Sequence, residues 1–226
     1  MKIILNKPTT ILFHGPSGCG KDTQVELLVQ KYNFENIGTG EMIRKMYAEK
    51  DKDAVIATEE YTSKGLFVPN EIIYNKMFPK WLDKFDPKKN WAFVSVVREA
   101  GQVELFDNLL ESKGRKLDLF IHFTLSAEAA IERMSTRTYC ANCGSTYHPK
   151  YKKEKIDGIC DKCGGLLTQR DDDKPEKIRK RLEEYNRTIS PILKKYKERG
   201  ILIEVDAAPS IEEIHKEILR ILSLNQ

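Results

Sequence analysis

The sequence predicts an α/β fold, a parallel sheet flanked by helices and carrying two insertions. Three observations support this. Apolar runs at residues 10–13, 90–97 and 117–125 read as strands, the last two long enough to be covered on both faces. Segments with apolar residues three and four apart alternate with them, at 22–32, 102–110, 127–134 and 211–224. A glycine-rich loop joins the first of these helices to the strand before it, so strand, loop and helix follow one another without a gap.

In chain order, 2–5 is a first short apolar run and 10–13 a second, which ends in the loop. After the helix at 22–32, Asn36, Gly38 and Gly40 read as turn residues, and Thr39 is placed to cap the next helix, 41–50. A second helical stretch, 54–64, closes at Gly65, and Asn70 reads as the N-cap of a helix over 71–82. Arg98 ends the strand at 90–97 with charge, and Ser126 caps the helix at 127–134. A long helical segment at 176–197 contains Pro191, which predicts a break. A last strand at 201–205 and the helix at 211–224 complete the chain.

Composition bounds the function. The chain has 226 residues, enough for one domain with insertions. Its 38 basic and 34 acidic residues leave a net charge of +4, too small to argue for a nucleic-acid partner. No signal-like stretch opens the sequence, and no run approaches the roughly 18 apolar residues of a membrane span. The expectation is a soluble cytoplasmic protein that uses neither membrane nor nucleic acid.

The loop Phe13-His14-Gly15-Pro16-Ser17-Gly18-Cys19-Gly20-Lys21-Asp22-Thr23 carries chemistry. Its glycines allow backbone N–H groups to turn inward, and the following helix adds the positive end of its dipole, so a polyphosphate fits there. Lys21 would reach the terminal phosphates, and Thr23 or Asp22 would face a bound Mg2+. A glycine-rich turn without ligand is the bland alternative. Four of the five cysteines form two Cys-x-x-Cys pairs, Cys140/Cys143 and Cys160/Cys163, each followed by glycine. Their spacing predicts a four-thiolate structural Zn2+ site closing the segment 137–173. Redox pairs and a nucleic-acid-binding ribbon compete with that reading. Cys19 stands apart and reads as a small loop residue.

The loop, residues 37–44 (IGTGEMIR), 65–69 (GLFVP), the cysteine quartet and 169–173 (QRDDD) together resemble adenylate kinase in its long form with a zinc-bearing lid. The resemblance runs across nearly the whole chain. It implies a P-loop NTPase-type core at 1–37, 69–136 and 174–226, a helical NMP-binding insertion at 38–68 and a lid at 137–173. It implies a cytoplasmic monomer that turns ATP and AMP into ADP with Mg2+, in nucleotide homeostasis. Carried over by position, Gly18, Cys19, Gly20, Lys21, Asp22 and Thr23 would hold ATP phosphates. Arg133, Arg137, Thr146, Tyr147 and Pro209 would complete the ATP side. Thr39, Arg44, Leu66, Phe67, Val68, Ser95, Arg98 and Gln102 would surround AMP, with Arg170 and Arg181 reaching its phosphate. Lys21, Arg98, Arg137, Arg170 and Arg181 would be the catalytic cations. Arginines suit that task because they donate in pairs and keep their charge, although a single helical arginine is more often a solvated one. Asp172 and Asp173 would orient arginines or cap the helix that follows.

Two stretches depart from the family pattern. Where the family has Asp-Gly-Phe-Pro-Arg, this chain has Val94-Ser95-Val96-Val97-Arg98, and Asp22 stands where the family has glycine. Asp22 either takes over the metal-side carboxylate absent at Val94 or favours the helix start. A UMP/CMP kinase and a non-catalytic adenylate-binding protein are the alternatives to an adenylate kinase.

Overall fold

The computed structural model describes residues 7–64, 66–169 and 173–224. The strand expected at 2–5, together with Gly65, Arg170 and Asp172, lies outside them. The central sheet contains β1 (Thr10–His14), β2 (Phe34–Gly38), β3 (Asn90–Val94), β4 (Leu119–Thr124) and β8 (Leu202–Asp206) in the order β2-β3-β1-β4-β8. Every pair is parallel, with Phe13 beside Val94 and His14 beside His122. All carboxyl ends therefore lie along one edge. Connections leave β1 toward β2 and β4 toward β8, so they diverge between β1 and β4, where ligands enter such sheets.

Strand alternation divides the core into two layers. Leu12, Trp91, Phe93 and Phe120 face one side and pack with helices α5 (Gln102–Ser112) and α7 (Pro175–Glu198). Ile11, Phe13, Val94, Ile121 and Phe123 face the other side, against α1 (Lys21–Lys31) and α8 (Ile211–Ile221). Helices α2 (Thr39–Ala48), α3 (Lys52–Ile56) and α4 (Phe78–Leu82) extend the first layer. Helix α6 (Ala127–Ser135) packs through Ala130 and Met134 on Ile178 and Leu182 of α7. A second, three-stranded sheet is built from β5 (Thr138–Cys140), β6 (Thr146–Tyr147) and β7 (Leu167–Thr168), with β5 in the middle.

Four sequence expectations change here. Residues 34–38 form β2, because the edge of β3 supplies backbone partners that override the turn preference of Asn36 and Gly38. That strand runs to Gly38, whose extended backbone makes it the cap of α2, so Thr39 is the first helical residue and caps nothing. Asn70 has helical backbone angles and makes no cap. The helix there takes its first bonds from the Pro69 carbonyl and runs as a π-helix over Glu71–Met77 before α4. Pro191 does not break α7. Its missing hydrogen bond costs about 3 kcal/mol, but Ile189, Ile192 and Tyr196 are buried around it, each worth about 1.5–3 kcal/mol. The stretch expected at 54–64 is helical, beginning at Lys52 under an Asp51 cap and finishing in π and 3-10 turns.

Candidate active site

The loop between β1 and α1 takes its shape from three glycines. A Cβ at Gly15 would lie 2.8 Å from both Cys19 Sγ and Phe123 Cβ, so only glycine fits. Gly18 and Gly20 have φ of +84° and +81°, which side chains disfavour. Gly20 is the N-cap of α1 and has no side chain to cap with, so the helix directs its positive end into the loop. Lys21 Nζ lies 3.8 Å from the Asp22 carboxylate, whose side chain is 70% exposed. Thr23 sits half-buried in the first turn of the helix. Cys19 is buried and its thiol is pushed up by burial, which suits a small packing residue.

Arginines converge on this loop from α6, α7 and the start of β5. Asp173, which is buried, accepts two hydrogen bonds from Arg137, at 3.0 and 2.7 Å. Arg181 Nη1 approaches the same carboxylate at 3.6 Å, while its Nη2 donates to Ser17 Oγ of the loop at 2.9 Å. Asp173 thus orients arginines, and Lys174 rather than Asp173 stands at the N-cap of α7. Arg133 donates to the carbonyls of Ala207 and Ala208, next to exposed Pro209, and lies 4.8 Å from the ring centroid of Tyr151.

The second group of predicted residues gathers around Arg98. After β3, Ser95 adopts φ +50° and its amide donates to the Phe13 carbonyl, linking this turn to β1. Arg98 Nε donates to the Ser95 carbonyl, and the Arg98 amide donates to Gln102 Oε1 at 2.7 Å. Gln102 Nε2 donates to Asn70, and Asn70 donates to Glu99. Arg98 is solvent-accessible yet crowded by protein, and that crowding lowers its pKa. Its guanidinium keeps its charge. Beneath it Tyr74 donates to the Val96 carbonyl at 2.5 Å. Leu66 and Phe67 are exposed, 56% and 72%, and Val68 packs on the core. Thr39 is half-buried at the start of α2. Arg44 of α2 lies over Gly40 and within reach of Gly144 in the cysteine segment, so the two insertions face each other.

The four cysteines come together. Their Sγ atoms all lie within 4.8 Å of one another, with Cys140–Cys163 at 3.4 Å and Cys143–Cys160 at 3.5 Å. Tetrahedral thiolates on Zn2+ stand about 3.8 Å apart, so the donor set and its spacing fit that metal. Gly144 and Gly164, both left-handed, donate to the Cys140 and Cys160 carbonyls, giving two like turns. Tyr147 is buried against this cluster, its hydroxyl on Cys160 Sγ and the Asp161 amide, while Thr146 beside it remains half-exposed. The segment also reaches the core: Lys152 pairs with Glu26 of α1 at 2.8 Å, and His148 with Thr136.

Sequence reasoning missed Ser17, Asn70 and Glu99 as partners of the predicted cations. It also missed His14 and His122, each a lone imidazole in an otherwise apolar strand, which was the available signal. His14 packs on Phe120 and Tyr185. Burial, with Lys21 and Arg98 adding repulsion, pushes it down to about 3, so it is neutral beneath the loop.

Cations gathered on a phosphate loop at the carboxyl edge of a parallel sheet place this chain among the P-loop phosphotransferases. The family described as Adenylate kinase matches residues 13–201. The adenylate kinase of Caldanaerobacter subterraneus subsp. tengcongensis is 36% identical over 212 residues, covering 94% of this chain and 95% of that protein. That of Archaeoglobus fulgidus is 37% identical, covering 94% and 97%, and that of Thermococcus kodakarensis 35%, covering 94% and 93%. The chain belongs to the adenylate kinase family. It is thereby a nucleoside monophosphate kinase.

The neutral His14 makes stability depend on pH. Its folded pKa lies below the ordinary 6.5, so between 6.5 and about 3 the unfolded chain binds a proton that the folded chain does not. Stability is full above pH 6.5 and falls on acidification. Between pH 7 and 5, urea denaturation of the native chain should lose about 2 kcal/mol more than His14→Leu does. Equal losses would show that His14 does not titrate this way.

Proposed function

We propose that this protein transfers the γ-phosphoryl group of ATP to AMP, giving two ADP in an Mg2+-dependent reaction that balances adenine nucleotides. The observation that carries the reading is the gathering of Lys21 and Arg98 about His14 at the base of the loop, with the Asp173-held Arg137 and Arg181 tied to the loop through Ser17. An AMP phosphate oxygen attacks the γ-phosphorus as the bond to the β–γ bridging oxygen breaks, and the charge sits on equatorial oxygens. Positioned cations supply most of the acceleration in such a reaction.

Residues 18–23 and Lys21 would hold the ATP phosphates, and Arg137, Arg170 and Arg181 would clamp the transferred group. Arg133, Thr146, Tyr147 and Pro209 would form the ATP base side. Thr39, Arg44, Leu66, Phe67, Val68, Ser95, Arg98 and Gln102 would receive AMP, with the exposed Leu66 and Phe67 covered by the nucleotide. The insertion at 38–68 and the lid at 137–173 would be the two moving parts of a core made of 1–37, 69–136 and 174–226. Zn2+ on Cys140, Cys143, Cys160 and Cys163 would hold the lid together without touching substrate. Among the described residues no helix is long and apolar enough to cross a membrane. The enzyme would work as a cytoplasmic monomer. The relatives named above are adenylate kinases, so they lend no support to a pyrimidine kinase or a non-catalytic binder.

A coupled assay with Mg2+ and ATP, offering AMP, CMP, UMP and GMP in turn, should show AMP as the preferred acceptor. Preference for UMP or CMP would overturn the substrate assignment, and transfer to none the reaction itself. In the same assay Lys21→Met should lose about 3–4 kcal/mol of transition-state stabilisation, a factor of hundreds in kcat. Wild-type turnover would remove Lys21 from the reacting phosphates.

Asp22 bears on Mg2+. Val94 is buried between Phe13 and Gly38, with no carboxylate to offer, whereas the Asp22 carboxylate is exposed beside Lys21 and close enough to Arg98 to offset part of the lowering that burial imposes on that guanidinium. Asp22 would therefore face the ion, which orders the β- and γ-phosphates. Asp22→Gly should lower kcat about tenfold, or 1.4 kcal/mol, and added Mg2+ should restore part of it. Normal kinetics with slightly lower stability would assign Asp22 to the helix start instead.

The metal role separates from catalysis. Cys143→Ser should lower Tm by about 5–10 °C, or roughly 2–3 kcal/mol for a chain this long, with KM for both nucleotides little changed. Elemental analysis should find one zinc per native chain. A metal-free protein of equal stability would contradict the assignment.

A further inference from the structure

Helix α7 carries Arg181 and, one turn later on the same face, Tyr185. Arg181 reaches the phosphate loop through Ser17, whereas Tyr185 reaches the sheet. Its ring lies nearly parallel to two imidazoles, with centroids 5.6 Å from His14 at 19° and 6.4 Å from His122 at 14°. His14 ends β1, His122 is its register partner on β4, and strand alternation turns both toward α7. The Tyr185 hydroxyl lies 2.6 Å from His122 Nε2, and His122 Nδ1 faces Glu204 of β8 at 3.4 Å. With Nδ1 donating to the carboxylate, Nε2 is left as an acceptor and Tyr185 is the donor.

We propose that the Tyr185–His122 hydrogen bond is a positioning device: it sets the rotation of α7 on the carboxyl ends of β1 and β4, and so holds Arg181 over the phosphate loop. This rests on the reading of Arg181 as a phosphate clamp. The physical need is plain. A helix packed on apolar side chains alone slides and rotates by small amounts at little cost, and an error of 1 Å at a long arginine is costly in a reaction that depends on placement. A directional bond one turn from the arginine removes that freedom. The stacking on His14 places the same ring directly under the residue where the loop begins.

The test uses the full-length chain and reads kcat, KM for ATP and for AMP, and Tm. Tyr185→Phe keeps the stacking and loses only the O–H. It should lower kcat about five- to tenfold, the equivalent of one hydrogen bond, with both KM values within about twofold. His122→Phe should match it, and His122→Gln, which retains an acceptor, should recover most of the activity. Combined with Arg181→Lys, Tyr185→Phe should cost nothing further, because its effect passes through Arg181. A lower Tm with unchanged kcat would overturn the proposal, and so would an equal loss of kcat in native and Arg181→Lys backgrounds. Full kcat in Arg181→Lys alone would overturn it together with the clamp reading, and that single variant tells the two failures apart.

Discussion

The parallel register of β1 with β3 on one side and β4 on the other is the constraint on which the rest depends. It brings the ends of three strands to one edge, where β1 passes into the phosphate loop, β3 into the turn that carries Arg98, and β4 into the cap of α6. A parallel sheet needs helices on both faces, and those helices return their own termini to the same edge. Residues as distant in sequence as Ser17 and Arg181 therefore meet with a single hydrogen bond. Moving β3 by one residue would turn Val94 to the opposite face and carry Arg98 out of the cleft.

Charge at that edge is organised by a few buried groups. Asp173 is nearly inaccessible and holds Arg137 in a paired fork while drawing Arg181 to the same point. One carboxylate so brings two guanidiniums to a single point beside the loop. His14 sits beneath without adding charge, since burial keeps it neutral. Gln102, Asn70 and Glu99 fix the backbone of Arg98, so its guanidinium stands on a braced turn. Cations held by hydrogen bonds in this way are the kind of preorganised groups that contribute most to acceleration in phosphoryl transfer.

The cysteine segment solves a different problem. Its core consists of little more than Cys140, Cys160 and Tyr147, too small to hold three short strands by burial alone. A metal bound by four thiolates would supply the missing folding energy. The segment can then present residues to the cleft as a unit, tied to α1 through Lys152 and Glu26 and to the end of α6 through His148 and Thr136. Arg44 approaching Gly144 shows how near the two insertions stand to each other.

Periodicity and motif in the sequence determined the fold class, the phosphate loop, the four-cysteine cluster and most helices, because each is a local pattern with a local physical cause. Gly18 and Gly20 mark left-handed turns in any context, and Cys-x-x-Cys marks a ligand pair before any fold is known. Tertiary structure alone decided the rest. Phe34–Gly38 became a strand only because β3 offered it partners, and α7 continues through Pro191 only because buried neighbours hold both halves. Thr39 and Asn70 looked like caps by type, yet extended Gly38 takes the cap position before Thr39, and Asn70 itself has helical backbone angles. His14, His122 and Tyr185 were unremarkable as single letters. Their arrangement exists because parallel pairing sets two imidazoles side by side and α7 lays a phenol across them, and no reading of one strand at a time contains that relation.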